Sequence, residues 1–138
     1  MWSYRLGDAK LLSRVAAAVG ADRVLDAIVG GEPRRPEALF DHVAVGDGAG
    51  GLDLMFVALL RWRMEYETMR AAAARSFMAS PRVFRGPYSR HLEERAAEAN
   101  RLSREHEDPA IQKWAAWVSG RLTAEAENAR RQEEEEAE

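Results

Sequence analysis

Apolar residues recur every three or four positions between residues 52 and 77, and this spacing restricts the fold more than any other feature of the sequence. The positions are Leu52, Met55, Leu59, Trp62, Tyr66, Met69, Ala73 and Phe77. A repeat near 3.6 residues lines one face of an α-helix. Phe56, Leu60 and Met64 add a second apolar line beside the first. We therefore predict a long helix, broken at most once, that contacts several neighbours.

Helical periodicity also dominates the residues before this helix, and no segment alternates as a strand would. Two short helices are predicted in "AKLLSRVAAAV" and "DRVLDAIV", each followed by glycine. A third helix has Pro36 in its first turn and runs to about Val45. The glycine-rich segment "GDGAGG", residues 46–51, is predicted to be a flexible connection to the long helix.

After Pro81, a fifth helix is predicted to bury one face, and a sixth begins in "HEDPAIQKWAAW", residues 106–117. Asp108 can accept hydrogen bonds from the free N–H groups of the first turn. Pro109 suits the first helical position, where a missing N–H costs nothing. The buried face of the fifth helix is predicted to carry Tyr88, Leu92, Ala96, Ala99 and Leu102.

The sixth helix has two contact surfaces on a wheel of about 100° per residue. One narrow apolar face holds Ile111, Ala115, Val118 and Leu122. Trp114 borders this face, whereas Trp117 points about 130° from its centre, on the side of Arg121. Trp117 must therefore either pack against an upstream helix or contact a partner, and Trp117 with Arg121 is our predicted partner-binding pair.

The last two helices resemble one unit of a HEAT repeat over roughly residues 87–122. The resemblance rests on a Leu-bearing helix, a short turn with Asp-Pro and a second helix of the HEAT pattern, here with Asp108, Pro109, Ile111, Ala115 and Leu122. The basic residue usual after the β-branched position is displaced, because Gln112 stands there and Lys113 follows. The resemblance implies a helical scaffold that binds partners, and it implies no chemistry.

We therefore predict an all-α fold of about six helices in a small layered bundle, with the last two helices forming a HEAT-like hairpin. Residues 1–131 are predicted to form one domain, and the acidic residues 132–138 a disordered tail. The predicted core consists of Leu12, Val15, Leu25, Ile28, Leu39, Leu52, Met55, Leu59, Trp62, Tyr66, Leu92, Leu102, Ile111, Trp114, Ala115, Val118 and Leu122.

Composition restricts the location and the chemistry. The chain has no cysteine, which excludes disulfides and thiolate zinc sites and fits a reducing cytoplasm. No run of about 18 apolar residues exists, so we expect no membrane span. Basic residues are almost all arginine and alanine is abundant, a bias typical of bacterial genes rich in G and C.

Catalytic and metal-binding patterns are weak, so we predict no enzyme, no metal and no cofactor. His91 and Glu94 lie three apart on a helix and could offer two metal ligands, but a third is missing. "GDGAGG" lacks the Lys-Ser/Thr of a phosphate-binding loop and follows no strand. Asp47 and Asp53 do not match the spacing of a calcium loop.

The predicted function is protein–protein interaction or scaffolding by a non-catalytic module. The predicted partner is another protein, and the sequence is also compatible with a homo-oligomer. The alternative is binding of nucleic acid or another polyanion, although the chain carries a net charge of −3. Arginines can contact phosphates while aromatic rings stack on bases. The residues that would form this surface within 61–90 are Arg61, Arg63, Arg82, Phe84, Arg85 and Arg90. An acidic tail could mask this surface until a partner competes.

Overall fold

The computed structural model describes residues 10–79 and 86–137 and confirms the all-α prediction. In this part of the chain there are six α-helices and one 3-10 helix, and the only strand-like feature is an isolated bridge between Gly46 and Leu52. None of these helices combines the length and apolarity required to cross a bilayer. The elements are α1 (Leu11–Val19), α2 (Ala21–Gly30), the 3-10 helix (Pro36–His42), α3 (Leu54–Trp62), α4 (Glu67–Met78), α5 (Tyr88–Glu105) and α6 (Pro109–Ala137).

The chain divides into two compact units, Met1–Phe77 and Met78–Glu138, where the sequence predicts one domain over residues 1–131. The division falls at the end of α4, inside a helix whose apolar period continues to Phe77. Pro81 follows this point within four residues, and Gly86 and Pro87 come soon after it. Such residues mark a loop between two helices of one domain as well as a linker between two units, so the sequence does not distinguish the two cases.

In the first unit, α1, α2 and α3 contact one another, and the 3-10 helix contacts α1 and α3. The third predicted helix, to Val45, is wrong in type and length, because the 3-10 helix ends at His42 and Val43 is extended. Phe40 from this short helix is 2% exposed and meets the ring of Phe56 edge to face at 5.4 Å. Its side chain closes the core from a segment that has too few residues for a stable α-helix.

Asp53 is the polar centre of the first unit. Its Oδ2 accepts from the N–H groups of Met55 at 3.0 Å and Phe56 at 3.2 Å, which caps α3. The same oxygen accepts from the Ser13 hydroxyl at 2.9 Å, and Ser13 Oγ accepts from Ala44 N–H at 2.8 Å. One carboxylate thus joins α1, the extended chain after the 3-10 helix and the start of α3.

Replacing Asp53 with alanine should lower the free energy of unfolding by about 1–2 kcal/mol, because α3 loses its cap and Ser13 loses its acceptor. Asp53→Asn is the matched control, since its amide oxygen can still accept from the helix N–H groups. Urea unfolding followed by far-UV circular dichroism measures both. A loss as large for Asn as for Ala would contradict the capping explanation.

The "GDGAGG" loop is hydrogen-bonded, whereas the sequence predicts a flexible connection. Asp47 Oδ1 accepts from the N–H groups of Ala49 at 2.7 Å and Gly51 at 3.0 Å. These two bonds hold the pKa of Asp47 below its usual value. Gly48 and Gly50 have φ of 84° and 91°, a backbone region that other residues rarely adopt. Asp47 therefore organises a turn within this loop.

The predicted long helix is broken between Trp62 and Glu67, within the single interruption that the sequence allows. Arg70 Nη1 donates to the carbonyl oxygens of Met64 at 2.9 Å and Glu65 at 3.0 Å. These contacts satisfy carbonyl groups that the interrupted helix leaves without backbone partners. Tyr66, predicted to be core, lies within this break and is 49% exposed, so this prediction is wrong.

In the second unit, α5 and α6 pack along each other as a helical hairpin. The predicted apolar face of α6 is confirmed: Ile111, Trp114, Ala115, Val118 and Leu122 are all at most 5% exposed. The predicted start of α6 is also confirmed, because Asp108 Oδ1 accepts from Ala110 N–H at 2.9 Å. The side chain of Gln112 donates to the carbonyl oxygen of His106 at 2.6 Å and fastens the turn before the helix.

Most of the remaining core predictions are confirmed or displaced by one residue. Leu52, Met55, Leu59, Leu92 and Leu102 are buried. Val15 and Tyr88 are wrong, being 40% and 47% exposed, while their neighbours Ala16 and Ser89 are buried. Helical periodicity is assigned from large apolar residues, so a buried face that is formed by a small or polar neighbour is missed. The other predicted core residues are partly buried: Leu12, Leu25, Ile28, Leu39 and Trp62.

Candidate protein-binding surface

The helix α3, "LMFVALLRW", is apolar on both of its faces. One face is the core, where Met55, Phe56, Leu59 and Leu60 are completely buried. A surface helix usually places charged and polar residues opposite its buried side. Here the opposite side carries Leu54, Val57, Ala58 and Arg61, and Leu54 is 76% exposed. A second apolar face on a partly exposed helix indicates a surface for a further contact.

This outer face of α3 forms one wall of an open groove of about 810 Å³, entirely within the first unit. The other walls come from Val19 at the end of α1 and from Ala21, Asp22, Arg23 and Leu25 in the first half of α2. Trp62 closes the end of the α3 wall. We call this feature the α2/α3 groove, and its lining is mainly aliphatic and aromatic.

Charged residues lie at the edge of the α2/α3 groove on both walls. Arg23 comes from α2 and Arg61 from α3, and both belong to the lining. Asp22, the acidic residue of the lining, lies in the first turn of α2, where the helix dipole favours a negative charge. Two guanidinium groups against one carboxylate give the groove a positive edge around an apolar floor.

Further apolar side chains are exposed on α1, next to the groove. Leu11, Val15 and Val19 follow one another every four residues and are 45%, 40% and 48% exposed. This spacing places them in one row on the helix surface. Because Val19 also lines the groove, the row extends the apolar surface of the first unit beyond it.

The predicted partner-binding residues Trp117 and Arg121 are neighbours on α6. The Arg121 guanidinium lies over the Trp117 ring, 4.7 Å from its centroid. This distance is within the range of a cation–π interaction. Trp117 is partly buried, so it presents less apolar surface than Leu54.

The arginines predicted to form an anion-binding surface have different roles in the structure. Arg61 lines the groove, and Arg63 stacks over the rings of Trp62 and Tyr66 at 4.8 and 5.4 Å. Arg90 pairs with Glu94 at 3.4 Å. Arg82, Phe84 and Arg85 lie outside the described residues.

The weak metal-site candidates are occupied by contacts within the chain. His91 is 4% exposed, and its Nε2 lies 3.1 Å from the carbonyl oxygen of Met78. Its potential co-ligand Glu94 forms an ion pair with Arg90. Among residues 10–79 and 86–137, no group of three or more His, Asp or Glu side chains is arranged to hold a metal ion.

The acidic end of α6 contacts the start of α5, although the sequence predicts disorder for residues 132–138. The Glu133 carboxylate accepts from Ser89 N–H at 3.1 Å and from the Ser89 hydroxyl at 2.6 Å. Arg130, one turn before Glu133 on α6, forms an ion pair with Glu93 of α5. The two Ser89 hydrogen bonds, and more weakly Arg130, lower the pKa of Glu133. Glu133 thereby caps a helix whose own N-cap residue, Pro87, has no side-chain oxygen.

Acidification should weaken this contact. The pKa of Glu133 is depressed in the folded chain, so its contribution to stability is complete above the ordinary value of 4.5 and is lost as pH falls through the folded pKa. Glu133→Gln should therefore lower the melting temperature at pH 7, and the difference from wild type should shrink as the pH falls below 4.5 and through the folded pKa. Glu134→Gln, at an exposed position, is the matched control. A constant difference across this range would contradict the role of the carboxylate.

The groove was not among the sites predicted from the sequence, although its signal was present. The two neighbouring apolar lines indicated a helix with several contacts, but they described its inner faces only. Leu54, Val57 and Ala58 extend apolar character to the outer side. Periodicity alone does not distinguish a helix buried on all sides from one that keeps an apolar face for a partner.

Comparison of the chain with protein-family models, with curated proteins and with solved structures found no match.

Proposed function

We propose that the chain is a non-catalytic protein-binding module and that the α2/α3 groove is its main binding surface. The observation that carries this proposal is the exposed outer face of α3, where Leu54 is 76% exposed above a groove of about 810 Å³. Contiguous exposed apolar surface rimmed by charge is typical of protein interaction sites. The row of Leu11, Val15 and Val19 on α1 enlarges the surface available to a partner.

The HEAT-like character of the second unit fits this proposal but stays a prediction. The α5–α6 hairpin has the Asp-Pro turn and the buried face on which the resemblance rests. A scaffold of this kind would present the pair of Trp117 and Arg121 as a second contact surface. The proposed module is therefore a helical adaptor with its apolar binding groove in the first unit.

The test is capture of partners from native lysate by the tagged full chain, with and without nuclease. Leu54→Glu should abolish capture of a protein that wild type retains after nuclease treatment. Thr68→Glu adds the same charge at an exposed position of the first unit outside the groove and should leave capture unchanged. Trp117→Ala tests the second surface in the same assay. Capture lost with nuclease alone would instead support the nucleic-acid alternative, and equal capture by Leu54→Glu and wild type would overturn the groove as the binding site.

A further inference from the structure

We propose that the α2/α3 groove binds a single amphipathic α-helix of a partner protein, which inserts apolar side chains into the groove and places acidic side chains at its edge. This inference rests on the proposed function and names the chemistry of the partner. It follows from the shape of the groove, the spacing of the apolar residues in it and the charges on its walls.

The shape of the groove fits a helix better than other protein segments. Its walls are the side of α3, the start of α2 and the end of α1. An amphipathic helix lays its apolar face into such a groove between helices. An extended peptide instead binds by adding a strand to a sheet edge, and the described part of the chain has no sheet to extend.

The apolar residues of the groove define the spacing that the partner must present. Leu54, Val57, Ala58 and Arg61 cover about two turns of α3, or about 10 Å at the rise of an α-helix. Leu25 faces them from α2. A partner helix therefore needs large apolar residues at positions such as i, i+4 and i+7, which lie on one face over the same length.

The charges of the groove select acidic side chains on the partner. Arg23 and Arg61 stand on different walls, so carboxylates on both flanks of an inserted helix can reach a guanidinium group. Arginine binds carboxylates through a planar fork of donors. The single acidic residue of the lining, Asp22, keeps its charge at the N-terminus of α2, so the lining carries one more positive charge than negative. A basic helix would meet two like charges at the edge.

The acidic end of the chain's own α6 does not meet these requirements. Residues 123–137 carry many glutamates, but every apolar residue among them is alanine. Alanine side chains are too small to fill a groove lined by leucine, valine and tryptophan. The acidic end of a second copy would match the charge of the groove and leave its apolar floor empty.

The experiment uses the full chain and a synthetic probe. The glutamate probe is a stapled helix of about four turns with leucines at i, i+4 and i+7 flanked by glutamates. The lysine probe is the same peptide with lysines in place of the glutamates. Binding is followed by amide chemical shifts of the ¹⁵N-labelled chain. The glutamate probe should shift the resonances of Leu25, Val57 and Ala58, and its affinity should fall with added salt.

Reversal of the charge at Arg61 distinguishes specific binding in the groove from general electrostatic attraction to the chain. Arg61→Glu should weaken binding of the glutamate probe about tenfold and strengthen binding of the lysine probe. Arg75→Glu makes the same change of net charge at an exposed position outside the groove and should change neither affinity. The compensating preference of Arg61→Glu for lysine requires a folded groove, so it cannot arise from simple loss of structure.

Several outcomes would overturn the inference. Equal binding of both probes to wild type would remove the role of the arginines. A control peptide without the staple, with the glutamate probe's residues scrambled so that no apolar face forms, should not bind. If it bound as tightly as the glutamate probe, the groove would not recognise an amphipathic helix. Trp2 is a large apolar residue near the start of the sequence, and tighter probe binding by Trp2→Ala would identify the chain's own first residues as the occupant. Self-association that Leu54→Glu abolishes would identify a second copy as the occupant. If neither probe binds while Leu54→Glu still abolishes partner capture, the helix inference fails and the proposed function stands.

Discussion

Replacing Trp114 with alanine is expected to lower the free energy of unfolding by about 3–5 kcal/mol. The ring is 1% exposed and belongs to the buried face of α6 with Ile111 and Val118. Removal of a buried indole costs its transfer free energy, and it also leaves a cavity that close-packed neighbours fill only in part. Urea unfolding followed by far-UV circular dichroism measures the change without relying on tryptophan fluorescence.

Trp117→Ala is the matched control for this prediction. It removes the same side chain from the same helix three residues later, at a position that is only partly buried. Its loss should be clearly smaller, because less apolar area is returned to water and the Arg121 contact contributes about 0.5–1 kcal/mol at an exposed site. Equal losses for the two variants would show that the two tryptophans do not occupy different environments.

The difference between these tryptophans shows what local sequence determines well. The apolar face of α6 and its Asp-Pro start follow from side-chain spacing and from the hydrogen-bonding capacity of one carboxylate, so both are predictable. The fold class follows for the same reason, since no segment has the alternation of a strand. The partial burial of Trp117 depends on neighbours in space, which a helical wheel does not contain.

Two differences between the sequence predictions and the structure have the same physical cause, which is a contact between residues that are distant in sequence. The carboxylate of Glu133 finds Ser89, 44 positions away, and the acidic run predicted to be disordered continues α6 to Ala137. Likewise Phe40 reaches Phe56 from a segment whose helix is a short 3-10 turn. Composition describes a segment in isolation, whereas these segments are fixed by partners elsewhere.

The candidate site was the least predictable part, because it consists of what the fold leaves uncovered. The sequence identified Trp117 and a set of arginines by residue type. The structure instead assigns Arg63 to ring contacts at the break between α3 and α4, and Arg90 to an ion pair with Glu94. It exposes Leu54, which a periodicity argument passes over because its neighbours form the core stripe. A binding surface is visible only when the buried side of each helix is known.

Phe56→Ala is expected to lower the free energy of unfolding by about 3–5 kcal/mol. Its ring is completely buried on the inner face of α3, and it packs edge to face on Phe40, an arrangement that contributes about 0.5–1.5 kcal/mol beyond the area buried. The 3-10 helix is held against α3 partly by this ring pair. Loss of the ring should therefore also loosen the 3-10 helix, which faster amide hydrogen exchange at residues 38–43 would report.

Substitution of Leu54, two residues earlier on the same helix, should affect partner binding and leave the stability of the fold almost unchanged. At 76% exposure its side chain contributes little to the core, so Leu54→Glu should change the free energy of unfolding by no more than about 0.5 kcal/mol. Glutamate is favoured at this position, because it directly follows the Asp53 cap and lies at the positive end of the α3 dipole. The same variant places a charge on the exposed apolar face of α3 that lines the groove and should abolish partner binding. Stability lost at Phe56 and binding lost at Leu54 would together establish that α3 uses one face to fold and the other to bind; a large loss of stability in Leu54→Glu would instead assign the outer face to folding.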